Sequence, residues 1–337
     1  MENLLNALVL MTNFVIVPSL TYGSQLALGA MGATLVYGVL RFSNFAHGET
    51  MALGAMFTIL ITWGFSHLGI GLGVLPTALL ALPFAIIINI MLLLVSDRWV
   101  YRYYRQKRSA PVILMIASLG VMFFYHGLVR FIIGPDNRQF ADGERFIFKA
   151  REMKESLGLL EGFSLKYTQS ITIICAIVIT VILFWFLNKT RTGKAMRAFS
   201  DNEDLALLSG INPEKVVKIT WLIVAILACM AGSLYGLDKG FKPFVYLQLL
   251  LPIFASAIVG GLGNPMGAIA GAFVVAYSEI GLTYAYKKFF AYLLPDFMMP
   301  SGLMQILSTD YKYAVSFIIL VLVLIFMPQG IFKGKAL

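Results

Sequence analysis

Residues 73–96 read GVLPTALLALPFAIIINIMLLLVS and contain no charged side chain. A helix needs about 20 consecutive apolar residues to cross a bilayer, so this stretch is long enough to span one. Comparable apolar segments recur at roughly 4–19, 21–40, 50–68, 111–133, 169–187, 217–236, 248–284 and 312–328. The repetition predicts an all-α polytopic membrane protein with about 8–10 transmembrane or re-entrant helices.

The composition excludes a soluble protein. Of the 337 residues, 59% are hydrophobic and only 13% are charged, and the mean hydropathy is +0.83. An ordinary soluble domain has about a quarter of its residues charged, and a disordered chain has low hydrophobicity. The apolar segments and their modest loops leave no room for a separate soluble unit, so residues 1–337 are predicted to form one transmembrane domain.

The net charge of +9 reflects membrane orientation rather than nucleic-acid binding, because the basic residues lie beside apolar segments. Residues 98–108 carry five basic side chains and no acid, which predicts a cytoplasmic loop. Alternation then places the loop 134–168 outside and the loop 188–218 in the cytoplasm. Cys175 and Cys229 both fall within apolar segments, so a disulfide framework is not expected.

A polar interruption at residues 41–50, RFSNFAHGET, separates two apolar segments. Polar groups inside a helical bundle are energetically costly and often mark a transport path. A plain polar turn at the membrane surface is the alternative. His47 by itself favours a hydrogen-bonded structural role, and Glu49 could pair with Arg41 or cap backbone amides. The candidate path or gate residues here are Ser43, Asn44, Phe45, His47, Gly48 and Glu49.

A second interruption, GGLGNP at residues 260–265, divides the long apolar segment 248–284. Irregular backbone at membrane depth is tolerated only inside protein or beside a water-filled cavity. Gly263 and Asn264 therefore join the candidate path. A faint resemblance between residues 44–48 and 264–267 suggests an inverted repeat, which is common in transporters.

The predicted cytoplasmic loop contains two short amphipathic helices between Thr190 and Pro213. Ser200 or Asp201 is a suitable N-cap for the second helix, and Gly210 a suitable stop. Such helices fit a groove in a partner protein or lie across lipid headgroups.

Several kinds of chemistry lack support. Gly193 and Lys194 do not complete a phosphate-binding loop, and the three histidines are too widely spaced to predict a metal site. No catalytic set stands out. An ion-driven carrier would need intramembrane carboxylates, and the apolar segments offer almost none besides Glu49 and Glu279. We expect no cofactor bound by this chain.

The motifs together resemble the H-type permease subunit of branched-chain amino acid ABC transporters. Four stretches carry the resemblance, in the same order as in that family: residues 35–49, 191–211, 260–268 and 327–332. The match implies an importer-permease fold, a second homologous permease, two ATPase subunits that use the ATP, and an extracytoplasmic binding protein. It also implies a bacterial cytoplasmic (inner) membrane location.

The resemblance assigns contact with the ATPase to the loop 188–218. The residues are Arg191, Gly193, Ala195, Arg197, Asp201, Asn202, Asp204, Ala206 and Gly210. The expected cargo is a branched-chain amino acid, with urea or short amides as the alternative, and a stand-alone ion-coupled carrier is a further alternative. The outer loop 134–168 is longer and more charged than the family suggests, which points to a different binding protein or substrate.

Overall fold

The computed structural model of the chain describes residues 2–140, 142–293, 302 and 304–332. Within these residues the chain forms fifteen α-helices and one antiparallel pair of very short strands. The helices are α1 (Glu2–Met11), α2 (Val17–Leu40), α3 (His47–His67), α4 (Ala78–Ser96), α5 (Arg102–Gln106), α6 (Pro111–Ile133), α7 (Ala150–Leu157), α8 (Tyr167–Lys189), α9 (Arg191–Asp201), α10 (Glu203–Leu208), α11 (Pro213–Lys239), α12 (Pro243–Gly260), α13 (Pro265–Thr283), α14 (Lys287–Leu293) and α15 (Lys312–Phe326). The strands are β1 (Phe146–Phe148) and β2 (Leu165–Lys166).

Nine helical segments of the described chain are long and apolar enough to cross a membrane, which confirms the predicted all-α polytopic fold. One boundary differs from the sequence prediction, and another agrees with it. The first two predicted segments form one continuous helix, Glu2–Leu40, joined through a π-helical turn at Thr12–Ile16. The long segment 248–284 is divided between α12 and α13, which are separated by residues 261–264.

Contacts between loops sort the helix ends onto two sides. On one side Arg41 reaches Ser200, and Arg105 lies 3.9 Å from Glu214. On the other side the backbone of Arg138 pairs with that of Phe241. The basic loops 98–108 and 188–218 therefore share a side, and the loop 134–168 lies opposite. We call the first side cytoplasmic because it carries the basic residues next to helix ends.

The core is arranged as two inverted halves. Helix α2 packs against α13, and in the corresponding contact α11 packs against α4. Helix α3 packs against α4, and in the corresponding contact α12 packs against α13. Helices α2–α4 run in the opposite direction to α11–α13. These pairs exchange when α2, α3 and α4 are matched with α11, α12 and α13, so the packing follows an inverted repeat. The pairing differs from the one suggested by the sequence, which matched residues 44–48 at the start of α3 with residues 264–267 at the start of α13.

Glycine allows close contacts between helices. A Cβ atom on Gly54 of α3 would lie 2.5 Å from the Cα atom of Cys229 on α11. The equivalent contact in the other half joins Gly29 of α2 to Ile253 of α12. Small residues at both crossings let the helix backbones approach closely.

The outer surface is assembled from three separate parts of the chain. The Oδ1 atom of Asn6 on α1 accepts hydrogen bonds from the backbone amides of Leu160 and Glu161, each at 3.0 Å. Glu161 also pairs with Lys288 of α14 at 2.6 Å and accepts a hydrogen bond from Tyr292 at 2.9 Å. The charged outer loop therefore holds α1 and α14 together.

Candidate functional site

The polar break between α2 and α3 lies inside the protein. Helix α2 ends at Leu40, and Arg41 adopts a left-handed conformation with φ of 58°. His47, the first residue of α3, contacts Gly29 and Gly32, which lie eleven and eight residues, respectively, before the end of α2. At 1.5 Å per residue the chain has turned back by roughly 12–16 Å. The break therefore runs beside α2 rather than along the membrane surface.

Hydrogen bonds hold the backbone of this break in place. The Oδ1 atom of the buried Asn44 accepts from the Ala46 amide at 3.1 Å and from the Tyr101 hydroxyl at 3.3 Å. The Phe45 amide donates to Ser118 Oγ at 3.1 Å. Irregular backbone needs such partners when it is removed from water. Ser43 is half-buried beside them.

A chain of aromatic and charged groups connects the break with the cytoplasmic side. The Tyr101 ring stacks on Trp221 with centroids 5.1 Å apart. The indole of Trp221 donates to Asp97 at 2.7 Å, and Asp97 pairs with Arg105 at 2.8 Å. A displacement of the cytoplasmic ends of α5 and α11 would therefore reach Asn44 through packed side chains.

His47 and Gly48 fix where α3 begins. His47 is fully buried, and its Nε2 atom lies 2.8 Å from the Gly29 carbonyl oxygen. A Cβ atom on Gly32 would lie 2.7 Å from the His47 ring, so that glycine makes room for the imidazole. A Cβ atom on Gly48 would lie 2.7 Å from the carbonyl oxygen of Tyr246 on α12. The histidine thus has the hydrogen-bonded structural environment favoured from the sequence.

Neither partner that the sequence suggested for Glu49 is the observed one. The Nδ1 atom of His126 on α6 donates to Glu49 Oε1 at 2.7 Å. Arg41 instead donates to the backbone carbonyl of Ser200 at 2.5 Å. Sequence reasoning missed His126, although its four-residue spacing from Arg130 puts both side chains on one face of an apolar helix.

The second break lies at the cytoplasmic end of the molecule. Asn264 caps α13, since its Oδ1 atom accepts from the amides of Met266 and Gly267 at 3.1 and 3.2 Å. Gly263 adopts φ of 81°. Both line a cavity of about 720 Å³ together with Lys194 and Arg197 of α9. The structure therefore separates Gly263 and Asn264 from His47 and Glu49, which lie midway along α2.

The cytoplasmic loop forms the two predicted helices with different caps. The Thr190 hydroxyl caps α9 by accepting from the Gly193 amide at 3.0 Å. Ser200 and Asp201 end α9 rather than starting α10, whose cap is Asn202, which accepts from the Leu205 amide at 3.0 Å. Both Ser200 and Asn202 can cap a helix, but Ser200 is used in tertiary contacts instead.

Helix α9 is fastened to the end of α2. The Ser200 hydroxyl donates to the Gly38 carbonyl at 2.9 Å, and Arg41 donates to the Ser200 carbonyl. Met196 and Phe199 are buried beneath the helix. Any movement of α9 is therefore transmitted directly to the residue where the polar break begins.

Helix α10 presents apolar side chains outward. Leu205 is 61% exposed and Leu208 is 85% exposed. Gly210 follows with φ of 80° and open space around it. Of the predicted coupling residues, Gly193 and Ala206 are buried, Ala195 is half-buried, and the exposed ones are Arg191, Arg197, Asp201, Asn202, Asp204 and Gly210.

Within the described residues, no group of three or more His, Cys, Asp and Glu side chains could hold a metal ion, and both cysteines are free.

Comparison with known proteins identifies the family. Residues 15–324 match the family described as branched-chain amino acid transport system / permease component. The chain is 31% identical over 316 residues to the high-affinity branched-chain amino acid transport system permease protein LivH of Escherichia coli, and the alignment covers 92% of each chain.

Two further relatives are similar over most of their length. The permease protein BraD of Pseudomonas aeruginosa is 28% identical over 322 residues, with 94% of each chain covered. The probable permease LivH of Methanocaldococcus jannaschii is 28% identical over 323 residues, with 93% of this chain and 90% of that protein covered. The chain is therefore a transport permease subunit, and it belongs to the family of branched-chain amino acid transport system permease components.

Proposed function

We propose that this chain is one of two permease subunits in an ATP-driven importer that carries branched-chain amino acids across a bacterial cytoplasmic membrane. The observation that carries the proposal is the cytoplasmic helix pair α9–α10, which is fastened to the polar break on its inner side and exposes leucines on its outer side. Family membership and the names of the relatives support the cargo.

The helix pair suits contact with an ATPase. Leu205 and Leu208 project from α10 next to the acidic residues Glu203 and Asp204. A short helix with exposed leucines fits a groove on a partner protein. When ATP closes the two ATPase subunits, α9 moves with them, and Ser200 and Arg41 transmit the movement to residues 41–46. The coupling set proposed from the sequence, from Arg191 to Gly210, surrounds this contact.

The buried break contributes neutral polar groups to the path. A branched-chain amino acid has an apolar side chain and a zwitterionic head, so it needs a transiently hydrated route rather than one tight site. Ser43, Asn44 and the helix start at His47 and Gly48 supply polar atoms halfway along α2. Gly263 and Asn264 lie at the cytoplasmic exit. Selectivity then rests on the extracytoplasmic binding protein, which we expect to dock on the outer loop 134–168.

The test is uptake of labelled leucine by vesicles that contain the chain, its second permease, the two ATPases and the binding protein. Uptake that requires both ATP and the binding protein supports the proposal. Labelled urea is the parallel substrate, and urea uptake without leucine uptake would overturn the cargo. Uptake by this chain alone, driven by an ion gradient, would overturn the importer mechanism.

A charge on the coupling surface gives a sharper test. We expect Leu208→Asp to leave the chain in the membrane and to abolish most ATP-driven uptake, because a carboxylate replaces an apolar contact with the ATPase. Leu68→Asp is the matched control, since Leu68 is 74% exposed, against 85% for Leu208, but follows α3 on the outer side and lies outside the loop 134–168. Equal uptake by the two variants would show that α10 does not contact the ATPase.

A further inference from the structure

Two basic side chains lie on one face of α6 above an aromatic ring. The guanidinium carbon of Arg130 lies 3.8 Å from the centroid of the Phe244 ring on α12. The His126 ring meets the same ring edge-on, with centroids 6.1 Å apart. Phe244 is 53% exposed. The three side chains therefore form a small surface that combines donors with an apolar ring.

Glu49 holds the histidine in a defined orientation. His126 Nδ1 donates to Glu49 Oε1, so the opposite nitrogen, Nε2, is directed away from the carboxylate. Among the described residues Nε2 has no hydrogen-bond partner, and the His126 side chain is 16% exposed. The Nε atom of Arg130 and the Oε2 atom of Glu49 are buried and also lack partners in the described structure. Hydrogen-bonding capacity thus remains at this surface.

The histidine and its glutamate lie beside an apolar surface of α6. The neighbouring exposed residues of α6 are apolar: Phe123, Phe124 and Phe131. A histidine paired with a buried glutamate is costly on a lipid-facing surface and usually faces protein or water. In the proposed pair of permeases, the surface between the two subunits would provide that environment.

We propose that His126 and Arg130 bind the carboxylate of the amino acid during transport, while the Phe244 ring contacts its apolar side chain. This inference rests on the function proposed above. A planar guanidinium binds a carboxylate through two parallel hydrogen bonds, and Nε2 of the imidazole adds a third donor when both ring nitrogens carry protons. Glu49 is a positioning residue, because it acts by orienting His126.

The experiment uses a cysteine as a reporter of local charge in the assembled complex. Gly127 lies next to His126 with open space around it, so Gly127→Cys is tolerated. Cys175→Ser removes the half-buried thiol, and Cys229 is fully buried. The complex is placed in phosphatidylcholine nanodiscs, and the rates of reaction with an anionic and a cationic methanethiosulfonate are compared.

We expect the anionic reagent to react faster than the cationic one. Arg130→Gln should lower the anionic-to-cationic rate ratio by about five- to tenfold, because removing one unit charge slows the anionic reagent and speeds the cationic one. Arg145→Gln is the matched control, since Arg145 also lies over an aromatic ring, that of Phe146, on the outer side. Arg130→Lys keeps the charge and preserves the ratio. An unchanged ratio in Arg130→Gln would overturn the site.

Protection of the Gly127→Cys reporter from labelling tests which ligand binds. Millimolar leucine should slow labelling of the reporter, whereas leucinamide, which lacks the carboxylate, should not; Arg130→Lys should weaken the protection. No protection by leucine would overturn the proposal. If phosphatidylglycerol removes the anionic preference and leucine has no effect, the surface binds lipid phosphate instead.

The two proposals fail separately. If the unmodified complex shows no ATP-driven leucine uptake, the proposed function is refuted. Normal uptake without leucine protection would refute only this site.

Discussion

The attachment of α9 to α2 can be weakened one hydrogen bond at a time. Ser200→Ala removes the bond from Ser200 Oγ to the Gly38 carbonyl, and Arg41→Gln removes the bond from Arg41 to the Ser200 carbonyl. The two changes are independent, because Arg41 binds the backbone of Ser200 rather than its side chain. The attachment can thus be dissected without altering the buried face of α9.

The expected magnitudes follow from the bond types. A neutral hydrogen bond contributes about 0.5–1.5 kcal/mol and one to a charged group about 1.5–3 kcal/mol. At 1.36 kcal/mol per factor of ten, Ser200→Ala should raise the undocked fraction of α9 roughly two- to twelvefold, and Arg41→Gln roughly twelve- to 160-fold. The double variant should approach the product of the two factors.

Amide hydrogen exchange of α9 (Arg191–Asp201) measures this fraction, since exchange requires local opening. The amount of ATP hydrolysed per leucine imported measures its consequence and should rise in the same order. Ser209→Ala is the matched control, because the Ser209 hydroxyl, just after α10, bonds to the Leu205 carbonyl of that same helix at 2.8 Å and not to α2. Exchange in Ser200→Ala and Arg41→Gln equal to that of Ser209→Ala would refute the reasoning.

Three further predictions concern stability and pH. Gly48→Ala places a Cβ atom 2.7 Å from a carbonyl oxygen of α12 and should lower the free energy of unfolding by about 1–3 kcal/mol. Gly127→Ala, in open space, should raise the free energy of unfolding by up to about 1 kcal/mol. Thermal unfolding in detergent measures both, and a Gly48→Ala variant more stable than Gly127→Ala would contradict the helix contact. Asn264→Ala removes the cap of α13 and should cost about 1 kcal/mol in the same assay, and no change would show that the cap is not needed. Burial alone would raise the pKa of Glu161. The hydrogen bonds that Glu161 accepts from Lys288 and Tyr292 of α14 outweigh the effect of burial and hold the pKa of Glu161 below its usual 4.5. The hydrogen bond to Glu161 raises the pKa of Lys288 above 10.5. The ion pair therefore stabilises the docking of α14 at pH values between the two pKa values. The stabilisation is lost as the pH falls through the pKa of Glu161 or rises through that of Lys288. Proteolysis near residues 287–293 should accelerate at both extremes of pH, and an identical pH profile in Glu161→Gln would exclude the ion pair as the cause.

Several features of the protein could be predicted from the order of its residues. Apolar runs such as 73–96 require helices at membrane depth, because a helix satisfies its backbone hydrogen bonds internally. The basic loop 98–108 predicts the cytoplasmic side. The polar stretches 41–50 and 260–265 marked the interruptions of the helical core, since their glycine and polar residues do not continue an apolar span.

Long-range partners could not be predicted in the same way. Glu49 has a nearby basic residue in sequence, Arg41, yet it pairs with His126, 77 positions away. Sequence distance carries no information about which helices become neighbours after packing. The same limit explains why Ser200 looked like a helix cap and instead bonds to Gly38.

The sequence by itself determined the helical class of the fold, the side that we assign to the cytoplasm and the family, because these depend on local hydrophobicity, charge and motif order. Only the tertiary structure decided the depth of each break. It placed His47 halfway along α2 and Asn264 at the cytoplasmic end, although the two interruptions look alike in sequence. Helix packing sets those depths, through the contact of His47 with Gly32 at one break and of Gly260 with Gly267 at the other, and no local pattern encodes them.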